Sequence, residues 1–270
     1  MSSIFQQDLA TESVITTHLT ETFFPDFFDS FEVISDTDQQ LKGIDIIGEK
    51  NGTSVKIDIK SQSDYLNDPR DTFILEILAQ TQGEIQRGWY TKEDIETDYY
   101  LFTWLPKVDQ FKFNSKTEEI HYYPAETLSD PPEVLTKTGD HYTFNSTEAP
   151  QFSNQLYELN VNLLKQSEDT KVFTPQSIRE HHVLLVDKQN IESHMAENGL
   201  SKDRLVGDAI NVAQTQENQR YPVTDVYSLF YTSRYHQNPV NLVVSYDLYK
   251  ELSDLTCTIH GDSLSYMTTL

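Results

Sequence analysis

The chain has 270 residues, and its 43 Asp and Glu against 20 Lys and Arg give a formal charge of −23, which excludes recognition of a polyanion by bulk positive charge. With 37% hydrophobic and 11% aromatic residues, there is enough apolar material for a packed core, which acidic disordered tails lack. The single cysteine, Cys257, excludes a disulfide framework or a cysteine-rich zinc site.

No apolar run approaches the roughly 18 residues of a membrane span, and the start MSSIFQQDLATE has neither the basic segment nor the apolar run of a signal peptide. The expectation is therefore a cytoplasmic protein with no membrane partner. Three explanations of the acidity compete. In concentrated salt, where the screening length is only ~3 Å at 1 M, surface carboxylates stop opposing a DNA-binding face, as in a halophilic protein. Alternatively the carboxylates mimic a phosphate backbone, or they serve solubility alone; their scattering along the chain fits salt adaptation or solubility better than a tail would.

Residues 4 to 23 are expected to form an amphipathic helix, with Phe5, Leu9, Leu19 and Phe23 on one stripe and Ser3 available as N-cap. Four strand-like runs follow, at 31–35, 41–47, 54–60 and 72–78. Residues 79 to about 94 are expected to begin as a helix, and YYLFTWL (99–105) reads as a buried strand. From about 115 to 154 the sequence turns polar and proline-rich, which predicts an insertion carrying at most a hairpin around Thr138-Gly139-Asp140. Strand 181–187, helix 189–198 closed by Gly199, a second helix from Ser201, the strands VYSLFYT and VNLVVSY and a short helix capped by Asp247 complete the reading. The alternation predicts an α/β or α+β fold, with a mixed central sheet flanked by helices. It is expected to be one elaborated domain over 1–270, with a core at about 4–106 and a C-terminal α/β elaboration at about 172–270.

The most informative stretch is LKGIDIIGEKNGTSVKIDIK, residues 41–60. Asn51-Gly52 between two alternating strands is a strong hairpin signal, because both central residues of a type I′ turn need positive φ. A two-residue loop places Lys50 opposite Thr53 and, continuing inward, Asp45 opposite Asp58, with Cβ atoms ~5 Å apart. Lys60 projects from the same face, while Ile44, Ile46, Val55, Ile57 and Ile59 point into a core. Facing carboxylates repel unless something offsets the charge; a hard divalent cation does so, and Mg²⁺ takes one or two carboxylates while keeping several waters. A solvated hairpin face is the bland alternative.

Asp45 followed by Asp58-Ile59-Lys60 resembles the D…(D/E)-x-K signature of the PD-(D/E)xK nuclease superfamily, the restriction-endonuclease-like fold. The resemblance implies an αβββαβ core over roughly residues 4–106, and a Mg²⁺- or Mn²⁺-dependent deoxyribonuclease. Asp45 and Asp58 would be its metal ligands, Lys60 its water-positioning and charge-stabilising group, and DNA its partner. Ile44 stands where the family often has proline. Glu12 matches an acidic residue the family carries on its first helix; as a carboxylate placed in the apolar stripe, it is either paired or metal-bound, or a snorkelling edge residue. Gln62 would be an auxiliary ligand or a solvated turn residue, and Glu76, in an apolar strand, has a similar claim. Gln86 and Tyr90 form a Q-x-x-x-Y string like that of the RecB-like branch. Few bases lie near the site in sequence, chiefly Arg70, Arg87 and Lys92, and cleavage of both strands by a one-site subunit would imply a homodimer. The competing reading is a catalytically inactive acidic DNA mimic or protein-interaction module on the same scaffold.

Gly261-Asp262-Ser263-Leu264 spells the motif of GDSL esterases, but the six following residues hold no Asp or His to complete a triad in that family's order. His181-His182 would face opposite sides of a strand, a poor metal-ligating pair.

Overall fold

Helix α1 (Ile4–Thr22) and the short α2 (Phe24–Phe27) lead into β1 (Ser30–Val33), α3 (Thr37–Leu41) and the hairpin of β2 (Ile46–Lys50) with β3 (Thr53–Ser61). β4 (Thr72–Thr81), β5 (Glu84–Arg87) and the long β6 (Tyr99–Val108) follow. Next come β7 (Gln110–Asn114), β8 (Glu119–Tyr123), β9 (Thr136–Thr138), β10 (His141–Asn145), α4 (Ala149–Ser153) and α5 (Val161–Gln166). The chain returns through β11 (Ile178–Asp187), α6 (Lys188–Glu197), α7 (Lys202–Thr215), β12 (Arg220–Pro222), β13 (Ser228–Tyr231) and β14 (Val240–Ser245). It ends in α8 (Tyr246–Leu252), β15 (Ser253–His260) and β16 (Ser263–Met267). The computed structural model describes residues 4–81, 84–167, 170–233, 238–261 and 263–267; Ser3, the side chains of Phe5 and Leu9, and Asp262 lie outside that description.

The architecture is mixed α+β. A seven-stranded sheet has the order β1-β2-β3-β6-β11-β15-β16, with β3 and β6 parallel and the other neighbours antiparallel. One of its faces buries Ile46, Ile57, Leu101, Val183 and Leu185 against Ile15, Leu19 and Phe23 of the first helix and the residue after it. Those three lie at i, i+4 and i+8, one face of a helix, and each fully buried side chain contributes roughly 1.5–3 kcal/mol, so packing rather than helix propensity holds α1. The opposite face buries Tyr100, Phe102, Trp104, Leu184 and Val186 in a second core, shared with α6, α7, α8 and a five-stranded sheet of order β12-β13-β14-β4-β5.

Several expectations need correcting. The segment after residue 78 is not helical: β4 continues to Thr81 and pairs with β5 through Ala79↔Gln86 and Gln80↔Ile85. Residues 79–87 carry no apolar stripe at helical spacing for a helix to bury, and as a hairpin they complete the second sheet. Consequently no α-helix lies between β3 and β6 among the described residues, and β4 pairs with β14 more than 160 residues away. The strand expected over 41–47 begins only at Ile46, and Leu41 instead ends α3, a helical turn over 37–41 that Asp36 caps by accepting a hydrogen bond from Gln39 N–H. Ser245, not Asp247, caps α8, by accepting from Leu248 N–H.

The polar insertion is also more ordered than composition suggests. The expected hairpin is present, with Thr138↔His141 flanking a Gly139 at φ +66°, but it belongs to a four-stranded sheet of order β7-β8-β10-β9. QFKFN, EIHYY and HYTFN each bury alternate residues, so Phe111, Phe113, Ile120, Tyr122, Tyr142 and Phe144 form a third core with Phe152 and Leu164. The one-sided alternation of a half-buried sheet was present inside a polar composition.

Candidate functional site

Asn51 and Gly52 adopt φ of +52° and +77°, the left-handed pair that a type I′ turn demands, and the hairpin runs in the expected register from Lys50↔Thr53 to Ile46↔Ile57. At Asp45 the ladder ends. Its backbone N–H donates to the Ile57 carbonyl at 2.9 Å, and its carboxylate turns across the strand to accept from the Ile59 N–H at 2.8 Å. Asp45 therefore occupies the edge of β3 that β2 leaves uncovered, and its orientation is fixed by backbone rather than by a flexible partner.

Asp58 is in register with Tyr100 and Lys60 with Phe102, so both side chains rise from the face that carries the second core. Asp58 is buried, and Lys60 Nζ meets its Oδ1 at 2.7 Å. Asp45 lines the same cavity as Asp58, so its carboxylate opposes the ionisation of the buried one. Burial pushes the Asp58 carboxyl up to about 7, with Asp45 adding to the rise and Lys60 opposing it. Burial works against the charge on Lys60, but Asp58, Asp45 and Glu12 outweigh it and hold the ammonium above the usual lysine range.

Asp45, Asp58, Lys60 and Glu12 line one cavity of about 520 Å³ between β3, α1 and the segment around Ser35 and Gln40. Glu12 is exposed at its wall rather than inside the buried stripe, which passes through Ile15, Leu19 and Phe23, and it acts on the site through its charge on Lys60. Gln62 is not in the cavity lining. Its amide donates to the Thr72 carbonyl and accepts from Arg70 N–H at 3.0 Å, which ties the loop after β3 to the start of β4.

Sequence reasoning missed Trp89. Lys60 Nζ lies 4.6 Å from its ring centroid, and the ring packs on Tyr100 at 5.5 Å, so an aromatic wall closes the lysine from above. Glu76 stands nearby: burial raises its carboxyl, while the Trp89 backbone N–H, Lys60 and Lys92 pull it down. Gly88 makes this approach possible, since a Cβ there would sit 2.3 Å from the Glu76 carbonyl oxygen. Gly88→Ala is expected to cost about 1–3 kcal/mol in chemical denaturation, and to shift tryptophan emission as Trp89 moves off Lys60. The Q-x-x-x-Y string does not form a helical pair, since Gln86 is exposed on β5 and Tyr90 is buried with its hydroxyl 3.3 Å from Met195 sulfur.

Comparison with protein-family models, with curated proteins and with solved structures gives no match.

The chemistry of the site is that of a cation-attracting cleft. Three carboxylates and one lysine line it, so its charge is negative where Asp45 and Asp58 meet. Two neighbouring carboxyl groups, of which the buried Asp58 holds its proton up to about pH 7, form a donor set that a hard divalent cation fits, by taking the place of that proton. Among the described residues no group of three or more His, Cys, Asp or Glu gathers as a metal cage, and a Mg²⁺ site built on two carboxylates and water does not call for one. The nearest bases are otherwise engaged. Lys42 and Lys56 both pair with Glu96 at 2.7 Å, and Arg70 stacks on Tyr65 at 4.8 Å. No helix among the described residues is long and apolar enough to cross a membrane.

Proposed function

We propose that the protein is a metal-dependent deoxyribonuclease on a restriction-endonuclease-like core, acting on DNA at the Asp45, Asp58 and Lys60 site. The observation that carries this reading is the convergence in one cavity of Asp45, just before β2, with Asp58 of β3, with Lys60 2.7 Å from the buried Asp58. A purely structural sheet gains nothing from that pair, which leaves Asp58 holding a proton near neutrality.

Asp45 and Asp58 would hold a Mg²⁺ or Mn²⁺ ion, which supplies charge neutralisation at the phosphate and lowers the pKa of water. Lys60, held charged by the surrounding carboxylates, is placed to donate to a phosphate oxygen as negative charge grows on it. Trp89 screens that ammonium from water on one side, which strengthens its field within the cleft. Glu12, at the solvent-facing wall, can accept the proton that the attacking water releases. A single such site cuts one strand, so a double-strand cut would require a homodimer.

The test is hydrolysis of supercoiled, linear duplex, single-stranded and branched DNA with Mg²⁺ or Mn²⁺, in low and molar KCl, with EDTA as control. Cleavage dependent on the cation and lost in Asp45→Asn and Lys60→Ala is the expected result. Cleavage that survives both substitutions, or no cleavage of any of these substrates, would overturn the reading.

A further inference from the structure

A second cavity, of about 330 Å³, opens on the other side of the loop that carries Trp89. Its walls hold Arg87, Lys92, Lys188 and Lys202 against two acids, Glu93 and Asp203. In a chain with 43 acids and 20 bases, four bases around one small cavity are a local reversal of charge. Solvation alone does not call for it, because like charges repel and salt bridges elsewhere on this surface place acids beside bases.

The partners of each base define what the cavity lacks. Arg87 pairs with Asp203 at 3.1 Å and Glu93 at 3.6 Å, and donates to the Thr91 carbonyl at 3.1 Å, so its guanidinium is held in place. Lys188 donates to the Ile95 and Thr97 carbonyls at 3.1 and 3.4 Å, which leaves one of its three N–H donors over. Burial and then the neighbouring Lys202 disfavour its charge. Lys202 meets Glu192 at 2.8 Å and lies 5.1 Å above the Tyr90 ring. Lys92 makes no ion pair among the described residues. The bases are thus arranged and partly desolvated, and their surplus of charge and donors matches one tetrahedral oxyanion.

We propose that this cavity is a phosphate subsite, and that its phosphate is a backbone group of the DNA strand flanking the scissile one. The assignment to DNA rests on the nuclease reading; the phosphate site itself does not. The two sites share the residue 87–97 loop: Trp89 faces Lys60, while Arg87, Thr91, Lys92, Glu93 and Ile95 line the cavity. Lys60 and Lys92 both pull down the Glu76 carboxyl, so the two sites adjoin at that residue. This provides a short basic track beside an acidic catalytic cleft in a protein whose surface otherwise repels DNA.

The experiment uses the full chain in EDTA, so that binding is read without cleavage. Inorganic phosphate, against chloride at matched ionic strength, is expected to raise the unfolding midpoint of the wild type and to do so much less in a Lys92→Gln/Lys202→Gln double variant. Lys116→Gln, on an exposed turn, serves as the surface-lysine control and should respond as wild type. A single-stranded oligodeoxynucleotide, followed by fluorescence anisotropy, is expected to bind the double variant at least ~10-fold more weakly, with a log–log salt slope shallower by ~0.7 per lysine removed. An undiminished phosphate response in the double variant overturns the subsite. A lost phosphate response with unchanged oligonucleotide affinity supports the subsite but overturns its assignment to DNA. A phosphate response that depends on the two lysines in a protein that cleaves no DNA supports the subsite while the nuclease reading fails.

Discussion

Asp58→Asn is expected to be more stable than the wild type above pH 7 in the absence of metal, and to have lost cleavage in its presence. The two effects share one cause. The Asp58 carboxyl, ordinarily near 3.8, is pushed up to about 7 by burial, so the folded state holds a proton that the unfolded chain has already released. Its contribution to stability is fully present below the unfolded value and is lost as pH rises through about 7. At roughly 1.4 kcal/mol per unit of separation, full ionisation costs the folded protein on the order of 4 kcal/mol, with the opposing pull of Lys60 already counted in the shift. Asparagine keeps the shape, carries no charge to bury and leaves Lys60 facing Asp45 and Glu12. Urea denaturation in EDTA between pH 5 and 9 should therefore show a fall in wild-type stability through neutrality that is absent in the variant. Parallel profiles would refute the buried, protonated state of Asp58.

Cation binding runs the same equilibrium in reverse. If Asp45 and Asp58 hold a divalent ion as proposed, it competes with the Asp58 proton, so its stabilising effect on the wild type should grow from pH 6 to pH 8.5 and be small in Asp58→Asn. On the nuclease proposal, removal of one ligand and of the partner of Lys60 should lower cleavage by on the order of 10³-fold or more. A variant that keeps both its response to Mg²⁺ and its rate would separate the metal site from Asp58. The stability gain is what distinguishes a functional carboxylate from a structural one, since loss of a structural ion pair costs stability at every pH.

The central part of this site was legible because its determinants are local. Asn51-Gly52 dictates the turn, the turn dictates register, and register brings Asp45 and Asp58 together without any long-range contact. The spacing did not reveal that Asp45 leaves the ladder and anchors on Ile59 N–H, because a strand end is set by where the partner chain turns away. Glu12 was placed one stripe too far inward. A helix face wide enough to hold Phe5 and Phe23 spans residues on both sides of the true contact line, and only packing against Ile57 and Leu101 selects Ile15, Leu19 and Phe23. Trp89 and the second cavity were out of reach for a different reason. Both depend on β4 pairing with β14, and no local signal tells a strand which of two sheets it will join. By contrast, the four-stranded sheet was present in the alternation of Phe111, Phe113, Ile120, Tyr122, Tyr142 and Phe144, and was masked by the polar residues between them.

The largest loss of stability is expected at a carboxylate remote in sequence from this chemistry. Asp109, 2% exposed at the junction of β6 and β7, accepts from Tyr122 hydroxyl at 2.9 Å, Tyr157 hydroxyl at 3.2 Å, Ala125 N–H at 2.8 Å and Arg179 Nε and Nη2 at 3.0 and 2.8 Å. Its own N–H donates to the Ser177 carbonyl at 2.9 Å. One side chain thus ties β8, the segment after it, the segment after α4 and the first turn of β11 to the end of β6. Asp109→Ala leaves two tyrosine hydroxyls, a backbone N–H and a guanidinium without their shared acceptor, and breaking a buried pair in this way costs about 3–5 kcal/mol. Arg179, 41% exposed in its side chain, can regain water, which favours the lower half of that range. Tyr122 and Ala125 donate to different oxygens of Asp109, so Asp109→Asn keeps an acceptor for only one of them and loses the charge-assisted bonds, and about 1–3 kcal/mol is expected. Because the lost bonds join the four-stranded sheet to the seven-stranded one, protease cleavage should concentrate within residues 110–172 while the β2–β3 hairpin stays protected. A loss below about 1 kcal/mol in Asp109→Ala, or cleavage spread evenly along the chain, would show that the third core docks by apolar contact alone.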